Sequence, residues 1–561
     1  MKAWRCAWLV LGGVAGLATA GTAQTPKAGG EYYEDAVDLG FKIKSPKDWE
    51  FIPPQPLEVN LIGSYQPKIN EHIELGGNGA RMVQHVWLVK FDARPESQAE
   101  TEREVGGEKV TIGSRGRKDI HAWMKDGISQ GTQWAYDEKA YPKPLKGPKA
   151  PAEYYVFDGL SNLGDVGSEK QPVCCYVAVY TLSPELQVAF AGIGPGEKRK
   201  WKGYEAAFAQ MAKSFQPITA VRPDAPAGLG SGSPRAQKRA KLEIEVAKNP
   251  GWALYETENY FVVSSSDDKE FIEELRGRLE AIRAVYAADY PAERARQIKL
   301  RKEEEEESGE GGAPGEGGGD EGEGGDEGEG PEGGAAAGAE EERTAAPIDP
   351  MEMSRCSVVR VCKSREEYIK YGGEEDSGGY WWWVGEELVI FDDQAVGGRE
   401  DTWLVLNHEA FHQYIFYFYG NISPHSWYNE GTGDFYSGYK YDHKRFKLQE
   451  AAWRYRTIQQ NIRDGKIVPL KDFVRWTQDQ YYGTNDLDLD GGDCYAQGWS
   501  LIWFLRTGAK KAKGWQDAWG KILDTYLDTL AMTGDLDKAV DAAFAGVDWT
   551  AFEAAWKDYI E

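Results

Sequence analysis

The first part of the chain is dominated by short apolar runs, several of which alternate with polar residues. Such runs, bounded by Gly, Pro and charged residues, predict β-strands. The clearest of them are 41–44, 86–89, 174–180 and 187–191. Phe208, Met211 and Phe215 then recur at helical spacing, which predicts a closing helix over 204–215. The pattern therefore predicts an N-terminal antiparallel-sheet α/β module over residues 31–216.

Helical patterns become more frequent after residue 216. A Pro/Gly/Ser-rich stretch followed by a charged helix predicts a linker and helix over 217–249. Residues 250–561 then predict a second domain with a small sheet and a largely helical C-terminal half. Its predicted strands are 260–263, 357–361 and 387–391, and its longest predicted helices are 269–290 and 402–419. The fold class predicted for the whole chain is α+β.

Residues 302–345 interrupt this second domain with acidic residues and glycine. From 303 to 342 there are 17 carboxylates and no Lys or Arg. A segment of this composition has too little apolar surface to offset its ordering entropy, so the sequence predicts a disordered insertion. A calcium-binding or partner-binding acidic segment is the alternative. We expect a strand near 298–300 on its N-terminal side.

The N-terminus predicts export. Lys2 and Arg5 precede an apolar stretch over 7–17, and small residues follow, which is the pattern of a signal peptide over 1–23. No later apolar run reaches about 18 residues, so the sequence predicts no stable membrane anchor. We expect a periplasmic or extracellular protein.

Charge and cysteine content exclude two further classes of protein. The net charge of −26 argues against a nucleic-acid partner, because phosphate surfaces attract basic patches. Five of the six cysteines lie after residue 23, and none shows the Cys-x-x-Cys spacing of a metal site. We predict that they are small buried hydrophobic residues without a disulfide framework.

The sequence His408-Glu409-Ala410-Phe411-His412 lies inside the predicted helix 402–419. Residues four apart lie on one helix face, so His408 and His412 can bind one tetrahedral Zn²⁺ ion. Glu409 then lies beside the open position of the metal, where a carboxylate can take a proton from an activated water. Two satisfied core histidines with a surface glutamate are the structural alternative.

A third ligand is expected from the helix that follows. Glu430 is the candidate metal ligand, and Asp434, one turn beyond it, can hold the second ring nitrogen of a ligand histidine. His425 is a competing ligand or a donor to the transition state. Gly431 and Gly433 weaken a helix, and close packing against the motif helix would explain their presence.

These residues resemble the gluzincins, the zinc peptidases that include thermolysin and the leukotriene-hydrolase-like aminopeptidases. The shared pattern is His-Glu-x-x-His followed by Asn-Glu-x-x-x-Asp, present here as His408, Glu409, His412, Asn429, Glu430 and Asp434. The resemblance implies a zincin-like domain over 250–561. The end of the first module, over 204–215, resembles small exported modules of the PsbP/Mog1-like type.

Tyr495 is a candidate catalytic residue. It opens a Tyr-x-x-Gly sequence that resembles the aminopeptidase branch, in which the tyrosine stabilises the tetrahedral intermediate. With Asp493 as N-cap, Tyr495 would lie in the first helical turn, where the positive helix end favours an oxyanion partner. Ordinary packing of one of 30 tyrosines is the alternative.

Three further segments have open interpretations. Residues 486–491 begin like a calcium loop, but Gln497 stands where the bidentate glutamate belongs. Residues 381–383 are three tryptophans that either line a substrate groove or pack into the core. The strand 387–391 is expected to hold an extended peptide by main-chain pairing.

The leading hypothesis is zinc-dependent hydrolysis of peptide bonds in a peptide or protein substrate. His408, His412 and Glu430 bind Zn²⁺, Glu409 is the general base, and Tyr495 assists the oxyanion. A catalytically silent zinc-binding scaffold is one alternative. A zinc hydrolase of a non-peptide substrate is another, because a fold and a metal do not define the substrate.

Overall fold

A computed structural model describes most of the chain. The described residues are 25–67, 72–75, 80–94, 101–105, 108–112, 116–126, 132–161, 171–221, 233–308, 350–375, 377–392, 399–420, 422–485, 487 and 489–561. The protein is α+β, with antiparallel sheets in the N-terminal half and a largely helical C-terminal half.

The N-terminal half consists mainly of strands. They are β1 (Ala28–Asp35), β2 (Phe41–Pro46), β3 (Trp49–Ile52), β4 (Leu61–Pro67), β5 (His72–Leu75), β6 (Ala80–Val83), β7 (Val86–Asp92), β8 (Thr101–Val105), β9 (Glu108–Ile112), β10 (Gln133–Ala135), β11 (Lys143–Pro144), β12 (Ala152–Ser161), β13 (Gln171–Ser183), β14 (Leu186–Pro195) and β15 (Gln216–Pro217). The helices are α1 (Ile120–Asp126) and α2 (Lys198–Ala212). An eight-stranded sheet has the order β10-β12-β13-β14-β7-β4-β3, with β11 paired to β12, and β1, β2 and β15 form a separate sheet.

Alternation of side chains gives the eight-stranded sheet two buried faces. On one face, Tyr176 and Tyr180 of β13 pack with Phe208 and Met211 of α2. On the other, Cys175 and Val177 pack with Trp123 of α1. Because successive side chains of a strand point to opposite faces, the continuous apolar run of β13 serves both cores.

The second half begins with α3 (Pro234–Lys248) and a mixed five-stranded sheet. Its elements are β16 (Ala253–Glu256), β17 (Tyr260–Ser264), α4 (Lys269–Asp289), α5 (Ala292–Ser308), α6 (Pro350–Ser354), β18 (Ser357–Cys362), α7 (Arg365–Tyr371), β19 (Gly379–Trp382) and β20 (Glu387–Phe391). The strand order is β16-β17-β18-β20-β19. The pairs β17–β18 and β18–β20 are parallel, and β19 runs antiparallel to β20.

The remaining elements are mostly helices. They are α8 (Arg399–Tyr419), α9 (Ser426–Ser437), the hairpin β21 (Tyr439–Asp442) and β22 (Arg445–Leu448), α10 (Ala452–Asp464), α11 (Leu470–Phe473), α12 (Gln478–Tyr481), α13 (Gly491–Thr507), α14 (Ile522–Thr533), α15 (Leu536–Ala543) and α16 (Trp549–Ile560). Short 3₁₀ helices occupy Gly508–Lys510 and Asp517–Lys521. Val359 and Val361 of β18 join α4 and α8 in one core, so α8 lies against one face of the sheet.

One prediction near the acidic insertion is wrong. Residues 298–300 are helical, because Ala295 and Ile298 recur at helical spacing and bury one side of α5. The same helix continues to Ser308, so the first residues of the predicted insertion 302–345 are ordered in a helix. The predicted disorder of the later part, and the predicted signal peptide over 1–23, fall outside the described residues.

The expected arrangement of the strand 387–391 is also wrong. β20 pairs with β18 on one side and with β19 on the other, so its main-chain groups are already used within the sheet. β19 is the edge strand. Any extended peptide that adds to this edge of the sheet must therefore pair with β19.

The cysteine prediction is confirmed for the described residues. Cys174, Cys175, Cys356, Cys362 and Cys494 are buried and form no disulfide. Across the same part of the chain, no helix has the length and apolar character needed to cross a membrane.

Candidate metal centre

Helix α8 carries the two histidines on a segment that is buried almost throughout. It spans Arg399–Tyr419, with Glu400 and Asp401 in the first turn, where negative charge favours the helix dipole. The helix ends at Gly420, whose φ of 79° is the left-handed conformation that glycine adopts readily. The four-residue spacing brings the rings of His408 and His412 to 4.7 Å between centroids.

Helix α9 supplies the third potential ligand, Glu430, and packs very closely on its neighbours. A Cβ atom added at Gly433 would lie 2.6 Å from the ring of His408 on α8. A Cβ atom added at Gly431 would lie 2.7 Å from the carbonyl oxygen of Gly498 on α13. The two glycines allow α9 to approach both helices, which accounts for weak helix formers at these positions.

Three potential metal-ligand atoms converge between α8 and α9. One ligand atom from each of His408, His412 and Glu430 lies within 4.8 Å of the other two, and all three residues are buried. Glu430 Oε2 lies 3.1 Å from His408 Nε2 and 3.9 Å from His412 Nε2. Ligands about 2.0–2.2 Å from a tetrahedral zinc ion are about 3.3 Å apart, so this donor set fits Zn²⁺.

Asp434 lies behind the first histidine. Its Oδ1 atom is 3.3 Å from His408 Nδ1, while Oδ2 accepts a 2.6 Å hydrogen bond from Arg454 Nε of α10. The arrangement leaves Nε2 of His408 directed at the converging ligand atoms. Arg454, which neutralises the buried Asp434, was not singled out from the sequence because it lies 20 residues farther along the chain.

Glu409 lies in the same buried region but is held by the sheet. Its Oε2 atom accepts a 2.9 Å hydrogen bond from the main-chain N–H of Trp381 on β19. Within the described parts of the chain, no group hydrogen-bonds to its other oxygen, Oε1. A buried carboxylate oxygen without a donor is costly, and Oε1 is the Glu409 oxygen that remains able to accept a proton.

Burial and neighbouring charges shift the pKa values of this cluster in opposite directions. Burial raises the pKa of Glu409 to about 8 and lowers that of His412 to about 4. Burial opposes the charged form of His408, but hydrogen bonds to Asp434 and Glu430 raise its pKa to about 10. Burial also opposes the charged form of Glu430, whereas His408 and His412 lower its pKa to about 2. Closely packed groups with divergent pKa values are typical of functional sites.

Tyr495 lies at the cluster in a different position from the expected one. Asp490, not Asp493, is the N-cap of α13, and Asp493 completes the capping box at the third position. Tyr495 therefore lies one turn deeper. Its hydroxyl donates a 2.9 Å hydrogen bond to Glu430 Oε2, and its ring is almost fully buried.

Tyr482 is a residue that the sequence did not reveal. Its hydroxyl oxygen lies 3.3 Å from that of Tyr495, and its side chain is half-buried. The contact between the two hydroxyl groups joins Tyr482 to the cluster through Tyr495. The adjacent Tyr481-Tyr482 sequence gave no signal, since only the tertiary fold brings it to α13.

The structure shows where the other residues that were singled out from the sequence lie. His425 is the N-cap residue of α9, and its Nδ1 atom lies 2.9 Å from the Tyr526 hydroxyl, so it is not grouped with the metal-ligand atoms. Trp381 and Trp383 line a cavity beside His412 and Glu430, whereas Trp382 packs into the core on the opposite face of the sheet. Two acidic residues of the calcium-like segment 486–491 fall outside the described residues.

A second buried charge cluster lies on the other face of the five-stranded sheet. Arg360 of β18 donates to Glu387 of β20 through Nε, at 3.1 Å, and through Nη2, at 2.6 Å. Glu245 accepts another 2.6 Å hydrogen bond from Arg360, and the Tyr371 hydroxyl donates to Glu387 at 2.8 Å. The guanidinium also lies over the rings of Trp252 and Tyr371.

Comparison with known proteins assigns no family. No protein-family model matches the chain, and no curated protein matches it. The chain is similar to the solution structure of cyanobacterial PsbP (CyanoP) from Synechocystis sp. PCC 6803, at 15% identity and a TM-score of 0.21, over 37% of this chain and 99% of that one. It is also similar to the Saccharomyces cerevisiae Ran-binding protein Mog1p, at 12% identity and a TM-score of 0.19, over 32% of this chain and 91% of that one. These are the two protein types that the end of the first module resembles in sequence, and the likeness assigns no activity.

Proposed function

We propose that this protein is an exported, zinc-dependent peptidase of the gluzincin type. The observation that carries the proposal is the convergence of His408, His412 and Glu430 ligand atoms within 4.8 Å in a buried site. The sequence resemblance supports the same donor set, with Asp434 behind His408 at 3.3 Å. A carboxylate beside the second ring nitrogen is typical of histidines that bind catalytic zinc.

The proposed reaction is attack of water on a peptide carbonyl. Bound zinc supplies Lewis acidity toward the carbonyl oxygen and toward water. Glu409 takes the proton of the attacking water on Oε1, the oxygen that has no other hydrogen bond among the described residues, and then delivers it to the leaving amine. The Trp381 N–H holds Oε2 and thereby orients the carboxylate.

Two tyrosines have separate roles in this proposal. Tyr495 orients Glu430 through its 2.9 Å hydrogen bond, which gives the ligand carboxylate a defined position. Tyr482, half-buried and hydrogen-bonded to Tyr495, is the phenol that can turn toward the oxyanion. Tyr495 as the oxyanion partner, the role expected from the sequence, is the alternative.

A peptide substrate is favoured by the edge strand next to the site. β19 runs antiparallel to β20 and has no strand on its other side among the described residues. An extended peptide can add to this edge by main-chain hydrogen bonds. Its scissile bond would then lie near Glu409, because Trp381 of this strand contacts the base directly.

The test is zinc content together with cleavage of a peptide library. Wild type and the Glu409→Gln variant are both purified with zinc, the bound metal is quantified, and products are identified by mass spectrometry. We expect one zinc per chain in both proteins and cleavage by wild type alone, because glutamine keeps an acceptor for Trp381 but cannot take a proton.

The outcomes separate the alternatives. Retained cleavage in zinc-loaded Glu409→Gln contradicts the role of the base. Full zinc occupancy without cleavage of any peptide favours the silent scaffold, and turnover of esters or amides alone favours a non-peptide hydrolase. A Glu553→Gln variant, altered on the distant helix α16, is the matched control and retains wild-type cleavage.

A further inference from the structure

A cavity of about 240 Å³ opens directly beside two of the metal-ligand residues, His412 and Glu430. Most of its wall is apolar and comes from β19, the end of α8 and the segment that joins α8 to α9. The apolar residues that form it are Trp381, Trp383, Ile415, Phe416, Ile422 and Pro424. The cavity therefore lies where a group next to the reacting bond would be placed.

The chemistry of the wall excludes a charged occupant. Among the described lining residues, only His412 and Glu430 bear titratable side chains, and both belong to the metal cluster. Outside the metal cluster a charged side chain would meet only uncharged polar groups, those of Ser423, Ser426, Asn429 and Gln478. These groups do not neutralise its charge, so its burial is unfavourable. An uncharged apolar side chain would instead bury its surface against tryptophan and phenylalanine rings.

The size of the cavity also limits its occupant. At about 30 Å³ per water molecule, 240 Å³ corresponds to about eight waters. Sites for whole drug-sized ligands are about 300–1,000 Å³, so this cavity matches a single large side chain. Leu, Met or Phe would fill it, whereas Ala would leave most of it empty.

We propose that this cavity binds a large, uncharged apolar side chain of the substrate next to the scissile bond. The inference rests on the proposed peptidase function and specifies its substrate class, namely peptides with Phe, Leu or Met beside the cleaved bond. Gln478 and Ser423, which also line the cavity, supply polar groups to the substrate main chain.

Trp383 and Phe416 are the specificity residues to change. Both side chains are half-buried, so their truncation perturbs the core less than truncation of the buried Trp381. The Phe416 ring lies 5.5 Å from that of Trp381 in an edge-to-face arrangement, and the pair forms one continuous aromatic wall.

Binding is measured first, without turnover. Blocked octapeptides that differ at one central residue (Phe, Leu, Ala, Asp or Lys) are titrated into zinc-loaded Glu409→Gln protein by calorimetry. We expect the Phe and Leu peptides to bind about tenfold or more tightly than the Ala peptide, and the Asp and Lys peptides to bind no better than Ala.

The same titrations are repeated after adding Trp383→Ala or Phe416→Ala to Glu409→Gln. Each change enlarges the cavity, so the preference for Phe over Ala falls by about tenfold. Trp549→Ala is the matched control: this half-buried tryptophan begins α16, does not line the cavity and leaves the preference unchanged. Cleavage sites of the single variants are then mapped with the mixed library.

The outcomes test the proposed role of the cavity and the proposed peptidase reaction separately. Cleavage without an apolar preference, or a preference that survives both truncations, overturns the inference and leaves the proposed function standing. Preferential binding of the Phe peptide without cleavage by wild type overturns the proposed function but supports the cavity. Cleavage next to Phe, Leu or Met that is lost selectively in Trp383→Ala supports both.

Discussion

The five-stranded sheet has a buried charge cluster on each face, and the two clusters differ in how their charges are satisfied. On one face, Arg360 is surrounded by Glu387, Glu245 and aromatic rings, with hydrogen bonds of 2.6 Å to both carboxylates. On the other, one potential ligand atom from each of His408, His412 and Glu430 lies within 4.8 Å of the other two. In the first cluster two carboxylates are hydrogen-bonded to one guanidinium, and in the second a carboxylate and two imidazoles form a potential metal-ligand set.

The difference shows that burial of charge alone does not identify a functional site. Removing a partner from a buried ion pair is destabilising, so both clusters are sensitive to mutation. What distinguishes the metal cluster is its donor set: one potential ligand atom from each of three residues converges there, whereas Arg360 is in direct contact with two carboxylates. Substitutions in the two clusters should therefore affect different measurements.

The largest expected effect is the loss of a metal ligand. His412→Ala removes one of three protein ligands, so zinc affinity should fall by more than the roughly 100-fold typical of losing a supporting residue. Metal content after dialysis against a weak chelator measures the effect. Stoichiometric zinc in purified His412→Ala would show that this histidine is not a ligand.

The next largest effect is a loss of stability expected from a change in the cluster of Arg360 and Glu387. Glu387→Ala leaves Arg360 with one carboxylate fewer, and the free energy of unfolding should fall by about 3–5 kcal/mol. Denaturant unfolding measures the change, and zinc content is expected to stay at the wild-type level. A loss of zinc in a folded Glu387→Ala protein would contradict the separation of the two clusters.

A smaller effect is expected from the support behind His408. Asp434→Asn replaces the carboxylate that lies 3.3 Å from Nδ1, and zinc affinity should fall by about 10–100-fold. Competition with a fluorescent zinc chelator gives the ratio. Asp464→Asn, at an exposed residue that ends α10, is the matched control with unchanged affinity.

A smaller loss of zinc affinity is expected from disturbing the close packing of α9 against α8. In Gly433→Ala the new Cβ would begin 2.6 Å from the His408 ring, so the ring must move and zinc affinity should fall by about tenfold. At Gly520 the nearest neighbour of an added Cβ is 3.8 Å away, which makes Gly520→Ala a suitable control. Equal zinc affinities in the two variants would contradict this account of the glycine.

The smallest expected effect is on stability in acid. Burial opposes the charged form of Glu387, but Arg360 lowers its pKa below the usual value. A carboxyl group whose pKa is lowered by folding stabilises the protein at pH values above its pKa in the unfolded chain, about 4.3. This contribution to the free energy of unfolding is lost as the pH falls through the pKa of the folded state. The Arg360→Met, Glu387→Leu double variant should lose less stability than wild type between pH 5 and 3. Parallel unfolding curves over that range would argue against the contribution of Glu387.

Local sequence spacing was sufficient to group the three candidate ligands and Asp434, but it did not reveal Arg454 or Trp381. His408 and His412 lie four apart on a helix predicted from its own apolar pattern, and Glu430 follows on the next helix. Arg454 and Trp381 reach the cluster through tertiary packing, 20 residues from Asp434 and 28 from Glu409. The hydrophobic periodicity of a sequence carries no information about tertiary contacts between such distant residues.

The errors in predicted elements have local physical causes. The short run at 298–300 is compatible with either a strand or one face of a helix, and packing of Ala295 and Ile298 decides for the helix. Two acidic residues three apart, Asp490 and Asp493, both suit a helix start, and the capping box that joins them places the start at the first. Which strand forms the sheet edge depends on the pairing order, which the apolar pattern of 387–391 does not encode.

The hydrogen bond between Glu409 and Trp381 also occupies one main-chain group at the edge of the sheet. An edge strand with unpaired N–H groups is a template for adding a strand of another molecule. The Glu409 carboxylate occupies one of those groups on β19, a strand of only four residues. Glu409→Ala would remove this cover and leave the buried amide without an acceptor, at a cost of about 1–3 kcal/mol. The proposed general base thus also satisfies a main-chain donor of the edge strand, and a folded inactive protein is best obtained with glutamine at this position.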